Sequence, residues 1–279
     1  MANDTGSADK VRGSGAVVTG AGSGIGRALA RGLAAAGARV VVNDLDTEAA
    51  VAVAEEIGGY PAPGDMGTEK GVSDLIAAAR EYLNQIDIYC SNAGIGGGTT
   101  PVDTPDAAWQ ATWDVNVMAH VRATRELLPD WLERGRGTMV ITASAAGLLT
   151  MLGAAPYSVT KHAAESYAEW LAATYSHRGL TVHCICPQGV RTNMLANSGE
   201  AGKVVLQDAA IEPEQVADAL LAGIASGEFL ILPHPEVRGY YQGRAGDTDK
   251  WLRGMNRMQQ RIEAVQRELG EAPAAGGTA

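Results

Sequence analysis

Short apolar runs alternate with longer amphipathic stretches from Ala16 to about Leu232. The runs cover residues 16–19, 39–43, 87–90, 138–142, 181–186 and 229–232. Between them lie helical patterns over 25–36, 47–57, 68–83, a long stretch around 109–132, then 156–176 and 213–226. This alternation predicts parallel β-α-β units: an α/β fold in which helices cover both faces of a doubly wound parallel sheet. One strand of the series is weak, because Tyr60-Pro61-Ala62-Pro63 holds two prolines, although a short strand still fits there. There is no internal repeat.

The two ends read differently. Residues 1–10 are polar and expected to be disordered. From Gly246 to about residue 270 the pattern predicts one more helix, with a loose Pro/Ala/Gly tail from Pro273. Trp251, Met255, Met258, Ile262, Val265 and Leu269 recur at alternating four- and three-residue steps and form a single narrow stripe. That stripe can pack on the chain's own body, on a partner subunit or over a site mouth. The expected division is therefore one domain over 11–232 and an extension over 233–279.

Composition narrows the picture. Hydrophobic residues make up 46% of the 279, but Phe occurs once, so the core must be Ala, Val, Leu and Ile. That suits helices on a parallel sheet. A net charge of −10 without a dense basic run argues against nucleic acid and anionic lipid as partners. No apolar run approaches the ~20 residues of a membrane helix, and MANDTGSADK lacks a signal peptide's apolar stretch, so a cytoplasmic protein is expected. Three cysteines, Cys90, Cys184 and Cys186, are too few for a disulfide framework. They also lack the spacing of a zinc site, and no metal is expected.

Candidate chemistry begins where the first run meets Thr19-Gly20-Ala21-Gly22-Ser23-Gly24-Ile25-Gly26 and a helical pattern starts at once. Glycines there let backbone amides approach a pyrophosphate, and the helix N-terminus offers free amides and a positive dipole end. The spacing is not G-x-G-x-x-G. Asp44 ends the second run 24 residues after Gly20. Its carboxylate can accept from ribose hydroxyls and repel a 2′-phosphate, favouring NAD over NADP; it can equally serve a helix start.

Tyr157 and Lys161 stand four apart, on one face of a helix. A free tyrosine titrates near ~10, and lowering that by ~3 requires about 4 kcal/mol. One ammonium at ~4 Å in an effective dielectric of ~20 supplies roughly that amount. Ser144 closes the run before Tyr157, where its hydroxyl can hold a substrate oxygen. Asn92-Ala93-Gly94 follows the run ending at Cys90, and Asn116 lies in an apolar stretch, as a structural cap or a relay member.

Together these residues resemble the short-chain dehydrogenase/reductase family from about Lys10 to Leu232. The matches are Thr19-Gly-x-x-x-Gly24-x-Gly26, Asn92-Ala-Gly94, Asn116, Ser144 and Tyr157-x-x-x-Lys161, in family order. The resemblance implies a Rossmann-type sheet of about seven parallel strands. It implies that Tyr157 exchanges the proton and Ser144 positions the carbonyl or hydroxyl. Lys161 would bind the nicotinamide ribose and depress the tyrosine pKa, and Asn116 would hold a water linking Lys161 to solvent. Gly20, Ser23, Gly24, Ile25, Gly26, Asp44, Asn92, Ala93, Gly94 and Pro187 fall in the cofactor site. Asp65-Met66 resembles the adenine-contacting pair, and Val190 with Thr192 the contacts to the nicotinamide amide. The family implies a homo-oligomer, dimer or tetramer. Two departures stand out: Ser91 where the family reads Asn, and Pro187-Gln188-Gly189 where it reads Pro-Gly.

The expected activity is NAD-linked interconversion of an apolar secondary alcohol and its ketone, since loops with Ile95, Leu148, Leu149, Met151, Leu152, Met194 and Leu195 carry few charges. The rivals are an NADP-dependent carbonyl or 3-oxoacyl reductase and a non-catalytic, cofactor-binding regulatory protein.

Overall fold

β1 (Gly15–Val18) is buried at every position and lies in the interior of the sheet, as an uninterrupted apolar run should. A computed structural model describes residues 10–98, 100–197 and 209–268. The expected disorder of residues 1–9 and the loose tail from Pro273 lie outside the described residues. Lys10, by contrast, is anchored: its ammonium donates to the carbonyls of Ile224 (3.1 Å) and Ala225 (2.8 Å).

The remaining strands are β2 (Arg39–Val42), β3 (Tyr60–Pro61), β4 (Ile88–Ser91), β5 (Gly137–Thr142), β6 (Leu180–Ile185) and β7 (Leu230–Ile231). Among the described residues they form one seven-stranded sheet in the order β3-β2-β1-β4-β5-β6-β7, and every pairing is parallel. The fold is thus the expected Rossmann-type α/β sheet. β3 survives its prolines because it is a two-residue edge strand, with one side free of ladder bonds.

The helices on the two faces are α1 (Gly24–Ala35), α2 (Thr47–Ile57), α3 (Glu69–Leu83), α4 (Asp106–Trp113), α5 (Ala119–Glu133), α6 (Ala146–Leu149), α7 (Ala155–Tyr175), α8 (Asn193–Ala196) and α9 (Pro213–Ser226). Two apolar clusters lie one on each face, and strand alternation sorts residues between them: Met139 and Ile141 of β5 join one, Val140 the other. Asp46 caps α2 by accepting from the Ala49 amide, and Thr68 caps α3 by accepting from that of Gly71.

The extension differs from its expectation. It holds two helices, α10 (Glu236–Gly246) and α11 (Thr248–Glu268). Gly239 and Gly243 lower the helix propensity of α10 and mask it in the sequence. The break falls at Asp247, whose carboxylate accepts from the Lys250 amide at 2.8 Å and starts α11. Trp251 of the apolar stripe is partly buried and packs against the core.

Candidate active site

β1 has β2 on one side and β4 on the other, so the chain leaves the sheet centre in opposite directions and opens a crevice at the strands' carboxyl ends. The turns after β1 and β4 meet there. Thr19 Oγ1 accepts from the amides of Asn92 (2.9 Å) and Ala93 (3.0 Å), and Asn92 Nδ2 donates to the Thr19 carbonyl at 3.0 Å. Gly20 takes φ +61°, and a Cβ there would lie 2.9 Å from the Ala93 Cα. A Cβ on Gly26 would drive into the Gly20 carbonyl oxygen and meet Asn92 Nδ2 at 2.6 Å.

This leaves the start of α1 open. Ser23, its N-cap, makes no side-chain capping bond, unlike Asp46 and Thr68, so the first-turn amides remain available to an anion. Asp44 closes the far side: its carboxylate accepts from the amides of Gly22 (2.8 Å) and Asp46 (3.0 Å). Asp65 is exposed and accepts from the Gly67 amide at 2.8 Å, while the Met66 side chain is buried in the core. The half-buried Ile25 borders the second cluster.

The tetrad expected from the sequence comes together on β5, α7 and the segment between α4 and α5. Residues Asp114–Met118 form a single wide π-helical turn that places Asn116 against the β4 loop. Its side chain accepts from the Ile95 amide (2.8 Å) and donates to the Ile95 carbonyl (2.9 Å) and to Thr160 Oγ1 (3.1 Å). Lys161 is buried and donates to the Thr142 carbonyl at 2.8 Å. Gly94 lies between the two: a Cβ there would be 3.3 Å from both Asn116 Oδ1 and Lys161 Nζ. Ser144 Oγ donates to the Pro187 carbonyl at 3.4 Å and accepts from the Ala146 amide at 3.1 Å. Lys161 Nζ lies 5.6 Å from the centre of the Tyr157 ring.

Burial acts on both members of the Tyr157–Lys161 pair. Burial pushes the Tyr157 phenol above its usual range; the Ser144 hydrogen bond opposes this, and the nearby Cys186 thiol adds to it. Burial likewise disfavours the charged form of Lys161 and lowers its pKa to about 8. Positive charge added to the crevice would oppose the effect of burial on Tyr157.

After β6, Val190 is bridged to Ile211, and Thr192 caps α8 while its methyl lies 2.9 Å from where a Gly24 Cβ would be. Thr192 is thus brought to the phosphate-side turn. The Pro187-Gln188-Gly189 departure has a partner the sequence reading missed, the buried His234. The Gln188 amide can only donate, so His234 Nδ1 accepts from it at 3.1 Å; Nε2–H then faces the carbonyls of Gly189 (3.1 Å) and Ala209 (3.2 Å). The side-chain Oε1 of Gln188 is buried without a partner. The other departure, Ser91, pairs with His120 Nδ1 at 2.6 Å. Burial, and then the charge of Lys161, hold His120 down at about 3, so its imidazole is neutral. Leu148 and Leu149, expected to line the substrate side, are instead core residues; Ile95 and Met194 do stay exposed.

The residues present fit a dinucleotide. The bare glycine turn and uncapped α1 suit its phosphates, Asp44 its ribose, and the orphaned Gln188 oxygen can accept from a carboxamide. The cations of α1, Arg27 and Arg31, are both paired with Glu56.

Comparison with known proteins agrees. Residues 14–203 match the family model for short chain dehydrogenase. The chain is 34% identical to 1-deoxy-11-beta-hydroxypentalenate dehydrogenase of Streptomyces avermitilis, covering 85% of this chain and 89% of that one. It is 31% identical to 7alpha-hydroxysteroid dehydrogenase of Escherichia coli K12, over 74% and 85%. Among solved structures, a short chain dehydrogenase/reductase from Burkholderia phymatum in complex with NAD superposes with a TM-score of 0.76 at 25% identity, over 97% of this chain and 99% of that one. A 7 alpha-hydroxysteroid dehydrogenase complexed with NADH and 7-oxo glycochenodeoxycholic acid gives 0.73 at 28% identity, over 83% and 96%.

Proposed function

The chain belongs to the short chain dehydrogenase family of oxidoreductases, and from that premise we propose that it interconverts an apolar secondary alcohol and its ketone with NAD. The observation that carries this reading is the convergence of Ser144, Tyr157, Lys161 and Asn116 beside the glycine turn at one carboxyl edge. The bound nicotinamide supplies or takes up the hydride. Tyr157 Oη gives the proton to the carbonyl oxygen in reduction and takes it from the hydroxyl in oxidation. Ser144 Oγ holds that same oxygen beside the phenol. Lys161, held by Thr142, presents its ammonium to the ribose and to the phenol from one side, and Asn116 fixes the Gly94 turn against it. Because burial raises the phenol, its ionisation is favoured when the oxidised, positively charged ring adds to the Lys161 charge.

NAD rather than NADP is supported by the Asp44 carboxylate and by the pairing of Arg27 and Arg31 with Glu56, which leaves neither free for a 2′-phosphate. Residues 11–232 serve as the dinucleotide-binding domain, with 233–279 as its extension. A homo-oligomer, dimer or tetramer, is supported by the exposed Trp170 beside an apolar groove of about 290 Å³ between α5 and α7; sedimentation velocity reads this directly. Among the described residues no helix is long and apolar enough to cross a membrane.

The test is absorbance of reduced nicotinamide, with NAD or NADP, over a panel of apolar secondary alcohols. Turnover with NAD should fall by about 10²–10⁴-fold in Tyr157→Phe. Undiminished turnover in that variant, or a preference for NADP, would overturn the assignment.

A further inference from the structure

α10 crosses the rim of the site with both ends fixed. At its start, His234 accepts from the Gln188 amide and donates toward Gly189, on the loop after β6. At its end, Arg244 donates to the Leu148 carbonyl, four residues beyond Ser144, and its guanidinium meets His162 Nε2 at 3.2 Å, next to Lys161. His162 in turn meets the Ser158 carbonyl at 2.8 Å, and Ser158 Oγ accepts from the Met151 amide at 2.9 Å. The eleven residues of α10 span about 16 Å between these anchors. The two loops it joins are those that meet at Ser144 and Pro187.

Helical phase gives this strap an inner face. Val237 and Arg244 lie seven apart on one side, and both anchor: Val237 is fully buried in the core, and Arg244 reaches Leu148 and His162. Tyr240 and Tyr241 fall between them on that same side. An inward aromatic between two anchored neighbours should be covered, yet Tyr240 is 46% and Tyr241 38% exposed. Their rings therefore border open space rather than packed protein. Ile95 and Met194, on the loops after β4 and β6, are likewise exposed apolar residues at this edge.

We infer that Tyr240 and Tyr241 form the distal wall of the substrate site and select alcohols and ketones carrying a fused ring system over single-ring ones. This rests on the oxidoreductase reading above. The two rings offer flat apolar area with little rotamer entropy to lose, so they add affinity only for a substrate that reaches past the reacting carbon.

The test uses the NAD-saturated protein titrated with a ketone, a pairing that cannot turn over, followed by tryptophan fluorescence. Wild-type protein should bind 2-decalone at least about tenfold more tightly than cyclohexanone. In the Tyr240→Ala/Tyr241→Ala double variant that preference should shrink to about two- to threefold, with cyclohexanone and NAD affinities unchanged, and Phe at both positions should restore it. A preference that survives the double variant, or none in the wild type, overturns the inference. Failure of the wild type to bind NAD would sink the underlying reading, and the wall with it.

Discussion

At the β1 end of the crevice, Thr19, Gly20 and Gly26 hold their turn against Asn92 and Ala93 with backbone amides and missing side chains. At the β5–β6 end, His234 and Arg244 hold α10 with single side chains reaching residues 25 to 96 positions away. The first arrangement has no slack, because any added atom meets backbone. The second can be retuned one residue at a time without disturbing the sheet. An oxidoreductase that keeps one cofactor but meets variable substrates needs that division: rigidity where the dinucleotide lies, adjustable tethers where the substrate enters.

The largest expected effect tests the rigid end. Gly26→Ala sets a methyl against the Gly20 carbonyl and the Asn92 amide, neither of which can retreat without separating the two turns. A loss of about 3 kcal/mol or more in urea unfolding is expected, together with loss of NAD binding. Retained NAD affinity would show that the β1 turn has the slack denied to it here.

Lys161, at the seam between the two ends, comes next. Burial lowers it from 10.5 to about 8, so below pH 8 the folded chain holds a charge that water would solvate better; this costs about 3 kcal/mol. Between about 8 and 10.5 the unfolded chain binds the extra proton, so stability rises with pH there, and above that range the cost is gone. Lys161→Met should therefore be inactive yet more stable at pH 7 by up to about 3 kcal/mol, less what the lost Thr142 bond contributed. That advantage should shrink as pH rises through 8 to 10.5. A pH-independent difference would mean that the ammonium is not desolvated as described.

The same division decided what could be read from the sequence. The sheet, the glycine turn, Asp44 and the Tyr157–Lys161 pair were legible because each is a local pattern: a run, a missing side chain, a four-residue step. The fold followed, including β3 at the one place where two prolines do no harm. His234, Arg244 and the Ser91–His120 pair were not legible, since nothing within ten residues of any of them names its partner. α10 was hidden by two glycines that serve no visible turn, because its stability comes from its anchors rather than its propensity. Leu148 and Leu149 misled for a related reason: their place after Ser144 suggested a substrate loop, but α6 turns them back into the core.

The smallest expected effect tests the adjustable end. Arg244→Ala removes two bonds at the far end of α10 while Val237 and His234 still hold the near end. Each lost bond is worth about 1 kcal/mol net, so global unfolding should shift by no more than about 2 kcal/mol. Local opening is more sensitive. Amides of Glu236–Gly246 should exchange with deuterium about tenfold faster, as a loss of about 1.4 kcal/mol in local stability requires. Amides of Gly24–Ala35, behind the glycine turn, should keep their wild-type rates. Faster exchange in both helices would mean that the two ends of the crevice form one cooperative unit. No change in either would mean that Val237 and His234 alone fix α10, and that Arg244 is no tether.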